Sequence, residues 1–295
     1  MNRWKCRTTR GNSASALVIR HGPWLRRQGP FFVSFLTWLA FLPGPALWAG
    51  DATAEEPIPA WKGPTVGERL VFHGRWFAIP VGSGWIEVKE IVAVGDRPAY
   101  HIEVHGQTNE VLSAIYPIHD IMHSYVDVET LEPIRFEKSQ REGHYRAEEV
   151  VTFDRQRRLA TYHSLLNQST KEIPLPEDFQ DLISAFYWFR RQPIHPERAL
   201  EANLYTDEKI YQTRIEVSRP MPLELLKRGT FSCLRVEPKA SFKGLLVKRG
   251  RLWAYVTADE RRLPLLLQTT TPWGPMSAVI DEASLLASLK QTPSS

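Results

Sequence analysis

The chain has 295 residues, with 37 lysines and arginines against 33 aspartates and glutamates, a formal charge of +4. Seven of the basic residues and none of the acidic ones precede residue 50, so the remainder stands at −3 and net charge gives no ground for a nucleic-acid partner. Only Cys233 follows Cys6, which excludes an internal disulfide from the remainder and leaves its folding to core burial.

Arg3, Lys5, Arg7, Arg10, Arg20, Arg26 and Arg27 precede a short apolar run, Phe31 to Leu42. Pro43-Gly44-Pro45 and the small-residue segment Ala46-Leu47-Trp48-Ala49-Gly50 follow. Basic end, apolar core, breaker and small residues are the layout of a secretory signal. A spanning helix needs about 20 apolar residues, more than this run supplies. Residues 1–49 are therefore expected to be a signal peptide, with cleavage after Ala49. The rest is expected in the periplasm with no transmembrane anchor after cleavage.

Residues 50–66, with Pro57, Pro59 and Pro64, predict a lead-in linker. From Gly67 the hydrophobic period is two. Leu70 and Phe72, Ile86 and Val88, and Ile102 and Val104 alternate with polar neighbours. Turns are predicted at Pro80 to Gly84, Gly95 to Pro98 and Glu142 to His144. Further strands are expected over 124–128, 134–140, 147–153, 159–163 and 168–173. Short connections favour antiparallel pairing.

One strong helix interrupts the strands, predicted over Phe179 to Gln192 with Asp178 as cap, basic Arg190-Arg191 at its end and Pro193 as stop. Phe179, Leu182, Ile183, Phe186 and Phe189 fall on one stripe, which Tyr187 and Trp188 widen. Short helical turns are predicted over 111–116 and 283–289. Strands resume over 200–206, 210–218, 232–238, 252–257, 265–271 and 277–281. The expected architecture is mainly β: a curved antiparallel sheet or open barrel, residues 67–282, wrapped around one central aromatic helix, with 283–295 as a tail. The stretch Tyr125 to Phe136 echoes Tyr255 to Leu266, each reading as strand, acidic turn, proline, strand. Two similar halves around the helix, or convergent turn chemistry, both account for that echo.

Several ordered pieces carry a resemblance: Gly67-Glu68-Arg69-Leu70, Ile79-Pro80-Val81-Gly82, Tyr116-Pro117-Ile118-His119-Asp120, Arg135-Phe136-Glu137-Lys138, Gly229-Thr230-Phe231-Ser232-Cys233, Gly250-Arg251-Leu252-Trp253 and Asp259-Glu260-Arg261-Arg262-Leu263-Pro264. Over residues 65–282 the chain resembles the bacterial domain-of-unknown-function 3108 family. That resemblance implies an exported envelope protein of Gram-negative type and transfers no catalytic residues. The strand–turn–Pro–strand hairpin is also similar to one in outer-membrane lipoprotein carriers, half-barrels that bind lipid.

Histidines 101 and 105, and 119 and 123, are spaced by four. On a strand, as expected for His101 and His105, that spacing separates two side chains by roughly 13 Å, too far to share an ion, whereas His119 and His123 border the Pro117 turn and could join Asp120 in a site. At His119 and His123 the resembling family is expected to carry an arginine and a carboxylate or polar residue. No metal ligand and no cofactor is therefore assigned. Gly82-Ser83-Gly84 lacks the spacing of a nucleophile elbow, and no phosphate-binding glycine loop occurs. No catalytic residue is assigned and the chain is expected not to be an enzyme; a hydrolase would need His119, Asp120 and His123 to converge. The basic clusters Arg155 to Arg158 and Lys248 to Arg251 fall at hairpin tips. The aromatic surplus suggests a cavity for a hydrophobic or lipid-like ligand, lined by Trp76, Trp85, Phe186, Trp188, Phe189 and Trp253. The other expectation is a structural module that meets an envelope protein partner through exposed sheet edges.

Overall fold

The computed structural model describes residue 58 and residues 61–225, 229–242, 245–246, 251–271 and 274–290. The expected signal peptide, Met1 to Ala49, lies outside the described residues. In chain order the strands are β1 (Arg69–Trp76), β2 (Ile79–Val94), β3 (Arg97–Thr108), β4 (His119–Asp127), β5 (Pro133–Glu142), β6 (Tyr145–Asp154), β7 (Leu159–Ser164) and β8 (Thr170–Pro174). They continue with β9 (Leu200–Thr206), β10 (Lys209–Val217), β11 (Met221–Leu225), β12 (Gly229–Phe242), β13 (Leu245–Leu246), β14 (Leu252–Thr257), β15 (Pro264–Thr271) and β16 (Gly274–Ile280). The helices are α1 (Glu110–Ser113), α2 (Leu182–Arg191) and α3 (Glu282–Lys290).

All the strands join one antiparallel sheet, ordered β8 to β1, then β16, β15, β14, β12, β10 and β9. β1 pairs with both β2 and β16, which zips the two ends of the domain together. The path ends at β8 and β9, so the sheet is open rather than a closed barrel. The segment leading into α2 lies against the β9 edge, where Gln180 bridges Leu204.

Strand alternation decides what α2 packs against. Val88, Ile102, Val126, Phe136, Val151 and Phe153 form one buried cluster with Phe179, Ile183 and Tyr187. Phe189 belongs to a second cluster with Ile215, Val217, Leu234 and Val256. The helix is thus held on the concave side from both arms of the sheet. Its cap is Asp181, not the expected Asp178. The Asp181 carboxylate accepts from Ile183 N and Ser184 N at 2.8 and 2.7 Å, and Ser184 Oγ accepts from Asp181 N. Ser124 of β4 also donates to Asp181, so a tertiary contact selects which aspartate caps. Burial of the Tyr187 hydroxyl leaves it without a hydrogen-bond partner. Tyr187→Phe should therefore be neutral or slightly stabilising in urea denaturation, within about 1 kcal/mol.

The turn expected at Pro80 to Gly84 is absent, because this stretch lies inside β2 and the chain reverses at Phe77 instead. Its glycines serve close backbone packing. A Cβ at Gly82 would stand 2.1 Å from the Gln107 carbonyl oxygen, and one at Gly84 would stand 2.6 Å from that of His105.

The echoed segments form matching hairpins. Register shifts between Tyr125 and Val126 in one and between Tyr255 and Val256 in the other. Asp127 N donates to Glu132 O, and Thr257 N to Leu263 O, both at 2.9 Å. Leu131 and Arg262, each two residues before the proline, have positive φ of 58° and 47°. Both turns grip the C-terminal end of α2: Arg191 donates to Glu129 O, and Arg190 Nε donates to Arg261 O. The lead-in docks there as well, with Ile58 N donating to Ile194 O and Trp61 stacked on Tyr187 at 5.9 Å.

Candidate functional site

Because Ile102, Val104 and Met122 face α2, the odd-numbered residues between them face outward. On that outer face Glu103 pairs across to His123, and His101 lies one step along the same strand face. His101 Nε2 and His123 Nδ1 are 3.0 Å apart, and Glu103 Oε2 is 3.7 Å from His123 Nδ1. The other Glu103 oxygen is 2.7 Å from His105 Nε2, and Lys89 Nζ stands 3.9 Å from it. His101 Nδ1 faces Glu90 at 3.7 Å, while its ring stacks on Tyr125 at 4.8 Å. Burial, and then the nearby His101, hold the His123 imidazole below its usual pKa and favour its neutral form.

A second feature lies at one rim of the sheet. In an antiparallel sheet the connections alternate between two rims. One rim carries both hairpin turns and the C-terminal end of α2. The opposite, open rim carries the connections after β1, β3, β5, β7 and β9. Seven of the ten large apolar side chains that are exposed among the described residues sit on this open rim: Trp76, Phe77, Ile79, Val111, Ile115, Leu165 and Leu166. The first two loops are tied together. Asn109, the cap of α1, donates its backbone N–H to Val81 O and its side chain to Pro80 O, at 2.9 and 2.7 Å. Phe77 has a φ of 52°, a left-handed conformation costly for an aromatic residue, and its ring lies over Gly274.

Just inside this rim the concave face turns polar. Asp120 is buried and its Oδ1 accepts from Arg141 N at 3.0 Å, while Gln140 Nε2 donates to the buried Glu142 at 3.3 Å. Burial raises the Asp120 pKa, so the protonated carboxyl is favoured in the folded state. That contribution is full below the unfolded value near 3.8 and is lost as pH rises through the folded value. Asp120→Asn keeps an oxygen to accept from Arg141 N and removes the titrating carboxyl. It should raise the melting temperature at pH 7–8, with the difference vanishing toward pH 4 in a thermal-melt series. Tyr116, above the pair, is pushed up to about 12 by burial and by the charges of Glu142 and Asp120.

The profile of a family described as "Protein of unknown function (DUF3108)" matches residues 71–281. The chain belongs to the DUF3108 family. No curated protein matches it. Among solved structures, the DUF3108 chain is similar to a beta-barrel-like protein of domain of unknown function DUF1849 from Brucella abortus. The identity is 8%, the TM-score 0.51, and the match covers 74% of this chain and 97% of that one. A "putative lipoprotein" from Parabacteroides distasonis matches at 10% identity and a TM-score of 0.27, over 76% of this chain and 98% of that one. The first of these likenesses supports the fold alone.

In the DUF3108 chain the six aromatic residues expected to line one cavity are not brought together. Phe186, Trp188 and Phe189 pack into the apolar clusters around α2. Trp85 is a correction: it alternates with core-facing Ile86 and stacks on His105 at 4.2 Å, on the outer face. Trp253 donates to Glu237 Oε2 at 3.2 Å beneath the Arg251 guanidinium. Trp76 alone of the six lies on the open rim, 39% exposed. His119, Asp120 and His123 do not converge, because Asp120 is turned inward and buried while its odd-numbered neighbours face out. The cluster of His101, Glu103 and His123 was missed because the pairs were weighed along one strand. The usable signal was the shared odd parity of histidines on two adjacent strands.

The basic hairpin tip lies on the rim opposite the apolar one. Arg155, Arg157 and Arg158 stand 2.5, 3.5 and 3.3 Å from Glu132, Glu172 and Glu177. Among the described residues no helix is long and apolar enough to cross a membrane.

Proposed function

We propose that this DUF3108 chain is an exported envelope protein that engages lipid-like ligands through its open rim, with the tips of two loops entering the apolar layer of a lipid surface. The observation that carries this reading is the exposure of Phe77, Ile79, Val111 and Ile115, at 60, 59, 79 and 81%, on loops fastened to each other. Exposed apolar side chains on a monomer's surface are ordinarily scattered, and a rimmed concentration of them marks an interaction site. Trp76 beside them supplies the amphipathic ring suited to a lipid–water boundary. Export is supported by the basic, apolar and small-residue order of the first fifty residues. No catalytic step belongs to this reading.

The alternative, a module meeting a protein partner through its sheet edges, is less favoured by the edges themselves. Lys171 of β8 is ion-paired to Glu208, and the β9 edge is covered at Leu204 by Gln180. Flotation with vesicles of phosphatidylethanolamine and phosphatidylglycerol tests the proposal. The protein should rise with the vesicles, and salt should hardly weaken the association because apolar insertion carries it. Protein left at the bottom of the gradient, or released by moderate salt, contradicts the rim as the contact.

A further inference from the structure

We propose that His101, Glu103 and His123 form a binding site for one divalent transition-metal ion, zinc by donor type, on the outer face of the sheet. Their ligand atoms all lie within 4.8 Å of one another. A tetrahedral zinc site with bonds of about 2.0–2.1 Å places its ligand atoms about 3.3 Å apart. The two contacts to His123 Nδ1, 3.0 Å from His101 Nε2 and 3.7 Å from Glu103 Oε2, bracket that spacing. Closing the three donors around one ion then calls for side-chain rotation within a span of 4.8 Å and not for a new register of β3 and β4.

The surrounding groups fit this assignment. Glu90 faces His101 Nδ1, which directs the Nε2 lone pair to the ion. His105 and Lys89 engage Glu103 Oε1, leaving Oε2 for coordination. Tyr125 stacks on His101 and fixes its ring plane. Glu137, the register partner of His123 on β5, adds negative charge beside the site. Two histidines and one carboxylate leave a fourth position, open on the solvent side, for water or an incoming ligand oxygen.

Isothermal titration of zinc into tag-free protein at pH 7.5 tests the assignment. One ion should bind per chain. His101→Ala and His123→Ala should each weaken binding at least tenfold, whereas His119→Ala, on the same strand but outside the cluster, should not. Lowering the pH to 5.5 should weaken binding as protons compete for the imidazoles. On the unaltered protein, cobalt should give the intense visible absorption of a tetrahedral site, and zinc should raise the melting temperature. Absence of zinc uptake, weak octahedral-type cobalt bands, or full uptake by His101→Ala and His123→Ala would overturn the proposal and leave a histidine–histidine hydrogen bond.

Discussion

Glu68→Gln is expected to lower the stability of the domain by about 3–5 kcal/mol, the cost of leaving a buried charge without its partner. The Glu68 carboxylate receives Arg190 Nη1 and Nη2 at 3.0 and 2.8 Å, and both side chains are at most 5% exposed. Trp61 covers the guanidinium at 3.6 Å, so water cannot replace the lost oxygen. Arg262 is buried close by and donates to Arg190 O; burial and the charge of Arg190 pull its own pKa down to about 10. Glutamine leaves two guanidinium groups in one dry region. The double variant Glu68→Leu with Arg190→Met should cost less than Glu68→Gln, because no lone charge remains. Arg219→Ala, removing a pair about 60% exposed on both sides, should stay within about 1 kcal/mol of the parent. Chemical denaturation of these variants reads the differences directly. A loss under 1 kcal/mol for Glu68→Gln would mean that this pair does not fasten β1 to the end of α2.

Phe77→Ser combined with Ile115→Ser should reduce vesicle affinity about 100-fold or more. Burying one large apolar side chain contributes about 1.5–3 kcal/mol, and two are removed. Stability should change little, since both side chains are mostly exposed in the free protein. Phe77→Asn sharpens the distinction, because asparagine tolerates the left-handed backbone that Phe77 adopts at φ 52°. It should keep or raise the melting temperature while weakening vesicle binding tenfold or more. Equal loss of both properties would mark Phe77 as a packing residue.

Much of the architecture was legible because strand alternation and turn residues are local signals. Val88, between Glu87 and Lys89, and Ile102, between His101 and Glu103, alternate with polar neighbours, and their burial follows from it. The aromatic stripe of α2 likewise predicted a buried helix. The matching hairpins at Pro133 and Pro264 could be aligned by eye, but their common task of holding the end of α2 could not. Three things depended on pairing and escaped. Gly82 and Gly84 read as a turn, whereas they permit close approach of β2 and β3. Trp85 read as cavity lining although its parity opposed Ile86 and Val88. Residues 111–116 read only as a short helical turn and Phe77 carried no signal, because only the topology places the β1–β2 and β3–β4 connections side by side. Register likewise brought His101 to His123; no spacing within either strand contained it.

Hydrogen–deuterium exchange of the protein with and without vesicles tests the open-rim contact most directly. Protection on binding is expected over residues 76–80 and 109–116, with a smaller effect at 165–168. The opposite rim, at 128–132, 155–158 and 258–262, should exchange as it does in the free protein. Protection of that opposite rim, or of the outer face of β3 and β4 alone, would contradict the account.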